Sequence, residues 1–367
     1  MARRLAGWLA YLLALLLFFE GSARLALGNE AFSKRVSGND DATWRRRWLE
    51  RHARLGTPIE HGFDEWSPTL GWKVKPNLRD TEAFRGKPLS TNSRGLRGPV
   101  EHNYEKPPGV FRIVVLGDSF TFGEEVGDEE TYSHYLQELL PQTEVLNLGV
   151  HGYGHDQMLL YLQEEGLRYK PDLVVLGFLT VDMERNILAF RDYAKPRFEL
   201  REGKLVLTHS PVPSVAETLA AESYRSGFFD LVTMLRAGYR LRSGAATREA
   251  KQLTLAILDG MRATAEAAGA RVAFAYLPAF GELTKPDLPK TLPERFFFGY
   301  CEDRKIPAIY LRPYFLPKLK QGVEFKVYGH WSPIEHRIVA EGIAAELVAQ
   351  GLVPKGARTE QANPAAR

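Results

Sequence analysis

The sequence predicts an α/β protein built around a five-stranded parallel sheet, with one apolar helix at the N-terminus. Three observations support this: five short apolar runs, helical periodicity between them, and an uncharged run at the start of the chain. Apolar runs of this length are typical of parallel strands, because helices cover such a sheet on both faces. The predicted strands are 112–116, 144–148, 172–176, 271–277 and 308–311.

The predicted helices alternate with these strands. The last of them has the clearest beginning, with Ser332 as N-cap, Pro333 at the first helical position and Glu335 completing a capping box. Three earlier segments carry apolar side chains at helical spacing or are rich in alanine. These three are 131–140, 157–167 and 250–268.

The N-terminus has the composition of a membrane-spanning segment. Arg3 and Arg4 precede the uncharged run 5–19, and Glu20 and Arg24 follow where that run would leave a bilayer. An uncleaved anchor is favoured over a cleaved signal peptide, because no small-x-small cleavage site follows the run. Arginines lie on both sides of the apolar run, so the positive-inside rule gives only weak support for the orientation of the segment in the membrane. The expected arrangement is a single-pass protein of the cell inner membrane, with the folded domain on the extracytoplasmic side.

Composition excludes several classes of protein. The formal net charge of +3 gives no basic surplus for nucleic-acid binding. The single cysteine, Cys301, excludes an intrachain disulfide and a cysteine metal cluster. His151 and His155 have the spacing of metal ligands on a helix, but Gly152 and Gly154 between them favour a loop. No metal or other cofactor is expected.

Shifts in composition divide the chain into four segments. They are a membrane anchor or signal-like segment at 1–28, a juxtamembrane linker with a small β-rich extension at 29–110, the α/β domain at 111–350, and a disordered tail at 351–367. An insertion at 190–248 interrupts the α/β domain. It begins with a predicted hairpin and continues as loop and helix, in a position to form part of a substrate lid.

Two glycine-containing segments follow the first two predicted strands. Gly-Asp-Ser ends at Ser119, where the hydroxyl is exposed at the carboxyl end of a strand and the N–H is able to face a developing oxyanion. The second segment contains Gly149, Gly152 and Gly154, a loop in which backbone N–H groups can approach a ligand. Each segment alone is also compatible with an ordinary tight turn.

His330 stands just before the capped C-terminal helix. Its imidazole is therefore on a loop, with the reach that a general base needs toward a nucleophile. His336 falls inside the helix, where a structural role is favoured.

Together these segments resemble the SGNH (GDSL) hydrolase family over about residues 111–349, in its membrane-anchored bacterial form. The resemblance implies a flavodoxin-like three-layer α/β/α sandwich. It also implies that Ser119 is the nucleophile and His330 the base, with Ser119 and Gly152 in the oxyanion hole.

Two departures from the family pattern bear on activity. Val181 stands where the family has an asparagine that donates to the oxyanion, and Asn186, about one helical turn later, is the candidate substitute. The family's aspartate before the histidine is also missing, because those positions hold Val327 and Tyr328. The candidates for the group that orients His330 are then Asp182, Glu324 or a backbone carbonyl. Alternatively, the site works as a dyad without an orienting acid.

The resemblance implies an ester hydrolase or O-acyltransferase that works through an acyl-serine intermediate. Hydrolysis and transfer stay open, because the acceptor of the acyl group decides between them. The membrane anchor favours an acylated polysaccharide, a lipid or a small ester of the cell envelope as substrate. The alternative, for which Val181 is the main argument, is a degenerate domain that binds glycans without turnover.

Overall fold

The computed structural model describes residues 1–84, 86–278, 280–283, 289–326 and 328–354. The strands are β1 (Asp64–Ser67), β2 (Gly71–Val74), β3 (Thr81–Ala83), β4 (Lys87–Leu89), β5 (Phe111–Gly117), β6 (Thr143–Gly149), β7 (Leu173–Phe178), β8 (Arg197–Arg201), β9 (Lys204–Thr208), β10 (Arg271–Tyr276) and β11 (Ala308–Tyr310). The helices are α1 (Ala2–Gly28), α2 (Glu30–Val36), α3 (Asp41–Leu55), α4 (Ser119–Phe122), α5 (Tyr132–Leu139), α6 (His155–Glu164), α7 (Asp182–Arg185), α8 (Val215–Glu222), α9 (Gly227–Arg242), α10 (Ala245–Ala267), α11 (Leu292–Arg304), α12 (Arg312–Lys320) and α13 (Pro333–Ala349).

The chain divides into two units. The first consists of Met1–Trp72, Ile187–Arg197 and Thr208–Lys251. The second consists of Lys73–Asn186, Phe198–Leu207 and Gln252–Arg367. Most of the predicted insertion thus falls in the same unit as the N-terminal helices, whereas the sequence had predicted it as part of the α/β domain. The predicted extension 29–110 is likewise divided between the two units, near Trp72.

The five predicted strands form one parallel sheet in the second unit, which confirms the predicted fold class. The strand order is β11-β10-β7-β5-β6. With the five strands numbered along the chain, this is the flavodoxin-like order 2-1-3-4-5. In such a sheet the crevice lies at the carboxyl ends of the first and third strands, β5 and β7. Ser119 follows β5 directly, so the fold places it at this crevice.

Helices cover both faces of the sheet. On one face, Leu136 of α5 and Val339 of α13 share a buried apolar cluster with Val115 of β5. On the other face, the ring of Phe178 in β7 lies 4.7 Å from that of His155 in α6 and 4.5 Å from that of Phe297 in α11. Because the strands are buried on both sides, their sequences are continuously apolar rather than alternating.

Two sequence signals at the C-terminus have different outcomes. The capping box before α13 is confirmed, with Glu335 accepting from the backbone N–H of Ser332 at 2.9 Å. The tail begins later than predicted, because Leu352 and Val353 are buried in the apolar cluster of the second unit. Residues 355–367 of the predicted tail lie outside the described residues.

The first unit is held together by a buried ion-pair cluster and by the end of α1. Arg45 of α3 is buried and pairs with Glu222 of α8 and Asp230 of α9. Leu27 of α1 is buried in a small apolar cluster with Met234 of α9. The predicted hairpin at the start of the insertion is confirmed as the two-stranded sheet β8-β9, most of which belongs to the second unit.

Candidate active site

Ser119 is the first residue of α4, immediately after the turn that ends β5. Asp118 caps this short helix, and its carboxylate accepts from the N–H of Phe120 at 3.0 Å. Within the part of the chain that the structure describes, the N–H of Ser119 has no hydrogen-bond acceptor. The turn thus presents both the hydroxyl and a free N–H at the crevice.

Close packing of α4 against β6 fixes this turn. A methyl group at Gly149 would lie 2.3 Å from the backbone nitrogen of Phe122, so only glycine fits there. Asn147, two residues earlier in β6, donates its side-chain amide to the carbonyl of Thr121 at 2.8 Å. The sequence of β6 therefore determines the position of the helix that carries Ser119.

His330 lies next to Ser119, as the sequence predicts for a nucleophile and its base. The distance between His330 Nε2 and Ser119 Oγ is 2.8 Å. The His330 ring packs against that of Phe120, with 5.0 Å between centroids. Ser119 Oγ also lies 3.4 Å from Asp118 Oδ2, and the shorter contact places Nε2 to accept the hydroxyl proton.

The loop that carries His330 is closed by the capping box of α13. One carboxylate oxygen of Glu335 accepts from the N–H of Lys326 at 2.8 Å, and the other accepts from that of Ser332 at 2.9 Å. Because Glu335 is buried, these two bonds have little competition from water. The carboxylate thereby bridges the two ends of the loop and restricts the position of the imidazole.

Glu124 is the acid that faces the second nitrogen of His330. Its Oε2 atom lies 3.3 Å from His330 Nδ1, and both side chains are largely shielded from solvent. The predictions that Asp182 or Glu324 orients the histidine are therefore wrong. Glu324 is exposed to solvent, and Asp182 is buried in an ion pair with Arg185.

The backbone after Ser119 explains how Glu124 reaches the histidine. Gly123 and Glu125 both have positive φ angles, of 86° and 66°, so the chain turns sharply at either side of Glu124. The N–H of Glu124 donates to the carbonyl of Ser119 at 3.1 Å, which keeps the turn close to the nucleophile. Glu125 pairs with Lys326 at 3.1 Å, so this turn also contacts the histidine loop.

Arg185 connects three parts of the site, although no sequence signal had singled it out. Its guanidinium lies 2.6 Å from Asp182 and 3.3 Å from Asp118, and donates to the carbonyl of Tyr153 at 2.9 Å. Asp118 and Asp182 are fully buried, so they need a neighbouring positive charge. Asp182 therefore helps to hold Arg185 and the nucleophile turn rather than the histidine.

The glycine loop that follows β6 begins beside the end of β5. The N–H of Val150 bonds to the carbonyl of Gly117 at 3.2 Å, so this loop continues alongside the end of β5. Gly152 has a φ of 74°, a conformation that glycine adopts without strain. Among the described residues its N–H has no acceptor. Ser119 and Gly152 are thus both able to donate to an oxyanion.

Asn186 does not take the place of the missing asparagine, and that prediction is wrong. Its side-chain amide donates to Thr254 at 2.8 Å and lies 3.2 Å from Nδ1 of His155. The residue is fully buried, so its carboxamide is committed to this internal network. Val181, at the asparagine position, is 43% exposed.

Two further histidines near these elements are structural. Burial lowers the pKa of His336 to about 3, and Nδ1 of this neutral ring accepts from the N–H of Tyr132 at 3.1 Å. Burial also lowers the pKa of His155 to about 3, with a smaller contribution from Arg185. Both rings are neutral at physiological pH and pack inside the protein.

The segment that contains the nucleophile matches a known family. Residues 115–295 match the model of the GDSL-like lipase/acylhydrolase family, a range that includes Ser119 and Gly152. This part of the chain is a GDSL-like hydrolase domain. His330 lies beyond the matched range of this GDSL hydrolase, and its assignment as the base rests on its contact with Ser119.

Three solved structures are similar to this chain at low identity. TesA is 16% identical. The match covers 64% of this chain and 97% of TesA, with a TM-score of 0.37. LAE5, an α/β hydrolase from the metagenome of Lake Arreo, Spain, is 14% identical. The match covers 69% of this chain and 99% of LAE5, with a TM-score of 0.40. The acetyl xylan esterase AlAXEase is 18% identical. The match covers 64% of this chain and 98% of AlAXEase, with a TM-score of 0.38. The curated proteins contain no match.

Proposed function

We propose that this GDSL hydrolase is a membrane-anchored serine esterase or O-acyltransferase that acts on acylated glycans or lipids of the cell envelope. The observation that carries the proposal is the line of contacts Glu124–His330–Ser119, with distances of 3.3 Å and 2.8 Å. A nucleophile, a base and an orienting acid in this order are the arrangement needed for acyl transfer through serine.

The reaction follows from these contacts. Ser119 Oγ attacks the acyl carbonyl carbon while His330 Nε2 accepts its proton, and Glu124 stabilises the imidazolium through Nδ1. The carbonyl oxygen becomes an oxyanion that accepts from the N–H groups of Ser119 and Gly152. His330 then returns the proton to the departing alkoxide as the tetrahedral intermediate collapses to the acyl-serine.

The second half-reaction decides between the two activities. In a hydrolase, water attacks the acyl-serine while His330 accepts its proton. The acyl–Oγ bond then breaks, His330 returns the proton to Ser119 Oγ, and a free acid leaves. In a transferase, the hydroxyl of a sugar or another alcohol replaces water in the same step. Mass spectrometry of products from an acetylated oligosaccharide, with and without an unacetylated acceptor, distinguishes the two.

The first experiment tests the acyl-serine itself. The full-length chain in detergent is treated with a fluorophosphonate probe, which reacts with activated serines, beside Ser119→Ala and His330→Ala. Labelling of the wild type that both variants lose supports the proposal. A folded wild type without labelling contradicts it and favours the second candidate, glycan binding without turnover, to which the exposed Val181 points. Glycan affinity is then measured directly.

The membrane anchor is the part of the proposal that α1 supports. Its segment Arg3–Gly28 is long and apolar enough to cross a bilayer, and the side chains from Leu5 onward are almost all exposed until the last turns. Those last turns belong to the folded unit, because Ala23 and Leu27 are buried. Removal of α1 as a signal peptide would take these core residues away, which favours a retained anchor.

Retention and orientation are tested on cells that express the full chain. An intact mass that includes the N-terminal segment, together with sedimentation in the membrane fraction, is expected for an anchor. A shorter, soluble product contradicts it. Protease cleavage of the catalytic domain in spheroplasts, with an intact inner membrane, tests the proposed extracytoplasmic side.

A further inference from the structure

Aromatic side chains from two distant segments meet where the apolar run of α1 ends. The ring of Phe19 lies 5.8 Å from both Phe18 and Phe228, and that of Phe228 lies 5.8 Å from Phe229. Tyr224, in the turn before α9, is 92% exposed, and Phe229 is 70% exposed. We call these five residues the aromatic collar. The four phenylalanines form a continuous row of ring contacts although more than 200 positions separate the two segments, and the exposed Tyr224 lies four residues before Phe228.

A charged residue fixes the collar at one level of α1. Glu20 accepts from the hydroxyl of Ser226 at 2.6 Å and from the N–H groups of Gly227 and Phe228 at 2.9 Å and 3.1 Å. It thus caps the N-terminus of α9 from a different helix, where a negative charge is favourable. Arg24, one turn along α1, pairs with Glu20 at 2.6 Å and donates to the carbonyl of Arg225 at 2.8 Å.

After the collar, α9 runs beside the last turns of α1, in the direction that leads away from the apolar run. Leu27 of α1 packs in one apolar cluster with Leu231 and Met234 of α9. Since Glu20 contacts residues 226–228 at the beginning of α9, and Leu27 shares an apolar cluster with Leu231 and Met234 further along it, both helices run in the same direction. The beginning of α9 is therefore the part of that helix closest to the exposed apolar segment of α1.

We propose that the aromatic collar is seated in the headgroup interface of a lipid bilayer and sets the depth of the first unit on the membrane. The inference rests on the proposed anchor role of α1. Phenylalanine and tyrosine bury apolar surface at this depth, and tyrosine keeps its hydroxyl in the polar layer. Arg24 lies at the same level, and its side chain is 62% exposed, so it is placed to meet anionic headgroups.

Residue spacing along α9 provides a matched control. Phe229 and Tyr239 are both exposed, and ten residues of helix place them about 15 Å apart along the axis. Each interfacial layer is only about 5–8 Å thick, so a collar in the interface leaves Tyr239 in water. The single cysteine of the chain, Cys301, is buried, and burial raises the pKa of its thiol to about 12. A cysteine introduced on α9 is therefore labelled selectively.

The experiment uses Phe229→Cys and Tyr239→Cys in the full chain, each labelled with nitrobenzoxadiazole and reconstituted in phosphatidylethanolamine–phosphatidylglycerol vesicles. Lipids spin-labelled near the headgroup serve as quenchers. The label at 229 is expected to shift to shorter emission wavelength and to lose about half its intensity, whereas the label at 239 stays unquenched.

The outcomes separate the collar from the anchor. Protein that floats with the vesicles while the label at 229 is unquenched overturns the collar but leaves the anchor intact. Protein that does not float at all contradicts the anchor itself. A label at 229 that is shielded only at high protein-to-lipid ratio, without quenching by lipid, identifies a second copy of the chain as the occupant and overturns the proposal.

Discussion

Glu124→Gln tests the least expected feature of the site. The carboxylate lies 3.3 Å from His330 Nδ1, and its replacement by an amide keeps the size of the side chain but removes the charge. At an effective dielectric constant of about 20, the attraction between that carboxylate and the imidazolium of the transition state is about 5 kcal/mol. The partial exposure of His330, 22%, lets water screen part of it.

A loss of about 3–4 kcal/mol of transition-state stabilisation corresponds to a fall in kcat of about 10²–10³-fold. The rate is measured on an aryl acetate, with the unfolding midpoint of each variant as a check on the fold. Glu125→Gln is the matched control. Glu125 pairs with the half-exposed Lys326, and such a pair contributes about 1 kcal/mol at most, so its kcat is expected to fall by less than about fivefold.

A second substitution sharpens this prediction. In Glu124→Gln, the further change Tyr328→Asp restores a carboxylate two residues before His330, where the family has its aspartate, and part of the lost activity is expected to return. Tyr328 is exposed, so the change has little effect on the fold. An unchanged kcat in the Glu124→Gln single variant would refute the assignment of Glu124 as the orienting acid.

Three further predictions concern the oxyanion hole, pH and packing. Val181→Asn is expected to raise kcat by about 10–100-fold, since it returns an amide donor to the family's position; an unchanged rate on the aryl acetate counts against that role. The free energy of unfolding is expected to fall by about 2 kcal/mol for each buried histidine between pH 7 and pH 5, because the unfolded chain binds a proton that neutral His336 does not. The free energy of unfolding of His336→Gln, measured in urea at both pH values, is expected to fall less than that of the wild type. An equal fall contradicts the prediction. Gly149→Ala is expected to abolish fluorophosphonate labelling, because the methyl group meets the backbone of Phe122; full labelling would show that α4 adapts.

Sequence patterns predicted what depends on local chemistry. Buried parallel strands are continuously apolar, so all five were found, and the capping box before α13 was found because its serine, proline and glutamate are neighbours in the chain. Ser119 and His330 were predicted as a pair because each belongs to a short motif at the end of an element. The topology then brings the two motifs together at 2.8 Å.

The sequence did not indicate Glu124 as the proposed acid, because its position depends on backbone conformation rather than on spacing. Counting back from His330 leads to Val327 and Tyr328, whereas Glu124 comes from the nucleophile's own segment. Only the positive φ angles of Gly123 and Glu125 direct it to the histidine. Two consecutive glutamates after a glycine were the available signal, but they read equally well as a solvated turn.

The origin of the acid determines which part of the site is able to vary. The proposed nucleophile and the proposed acid belong to one short segment, from Asp118 to Glu124, which is fixed against β6 by close packing and by hydrogen bonds. The base alone comes from elsewhere in the chain, on a loop that Glu335 closes. Changes at the beginning of α13 therefore alter the distance from Nε2 to Oγ and the distance from Nδ1 to Oε2 together, while the relation between Ser119 and Glu124 stays constant. Activity in this protein is expected to respond to the histidine loop more than to any other segment outside the nucleophile turn.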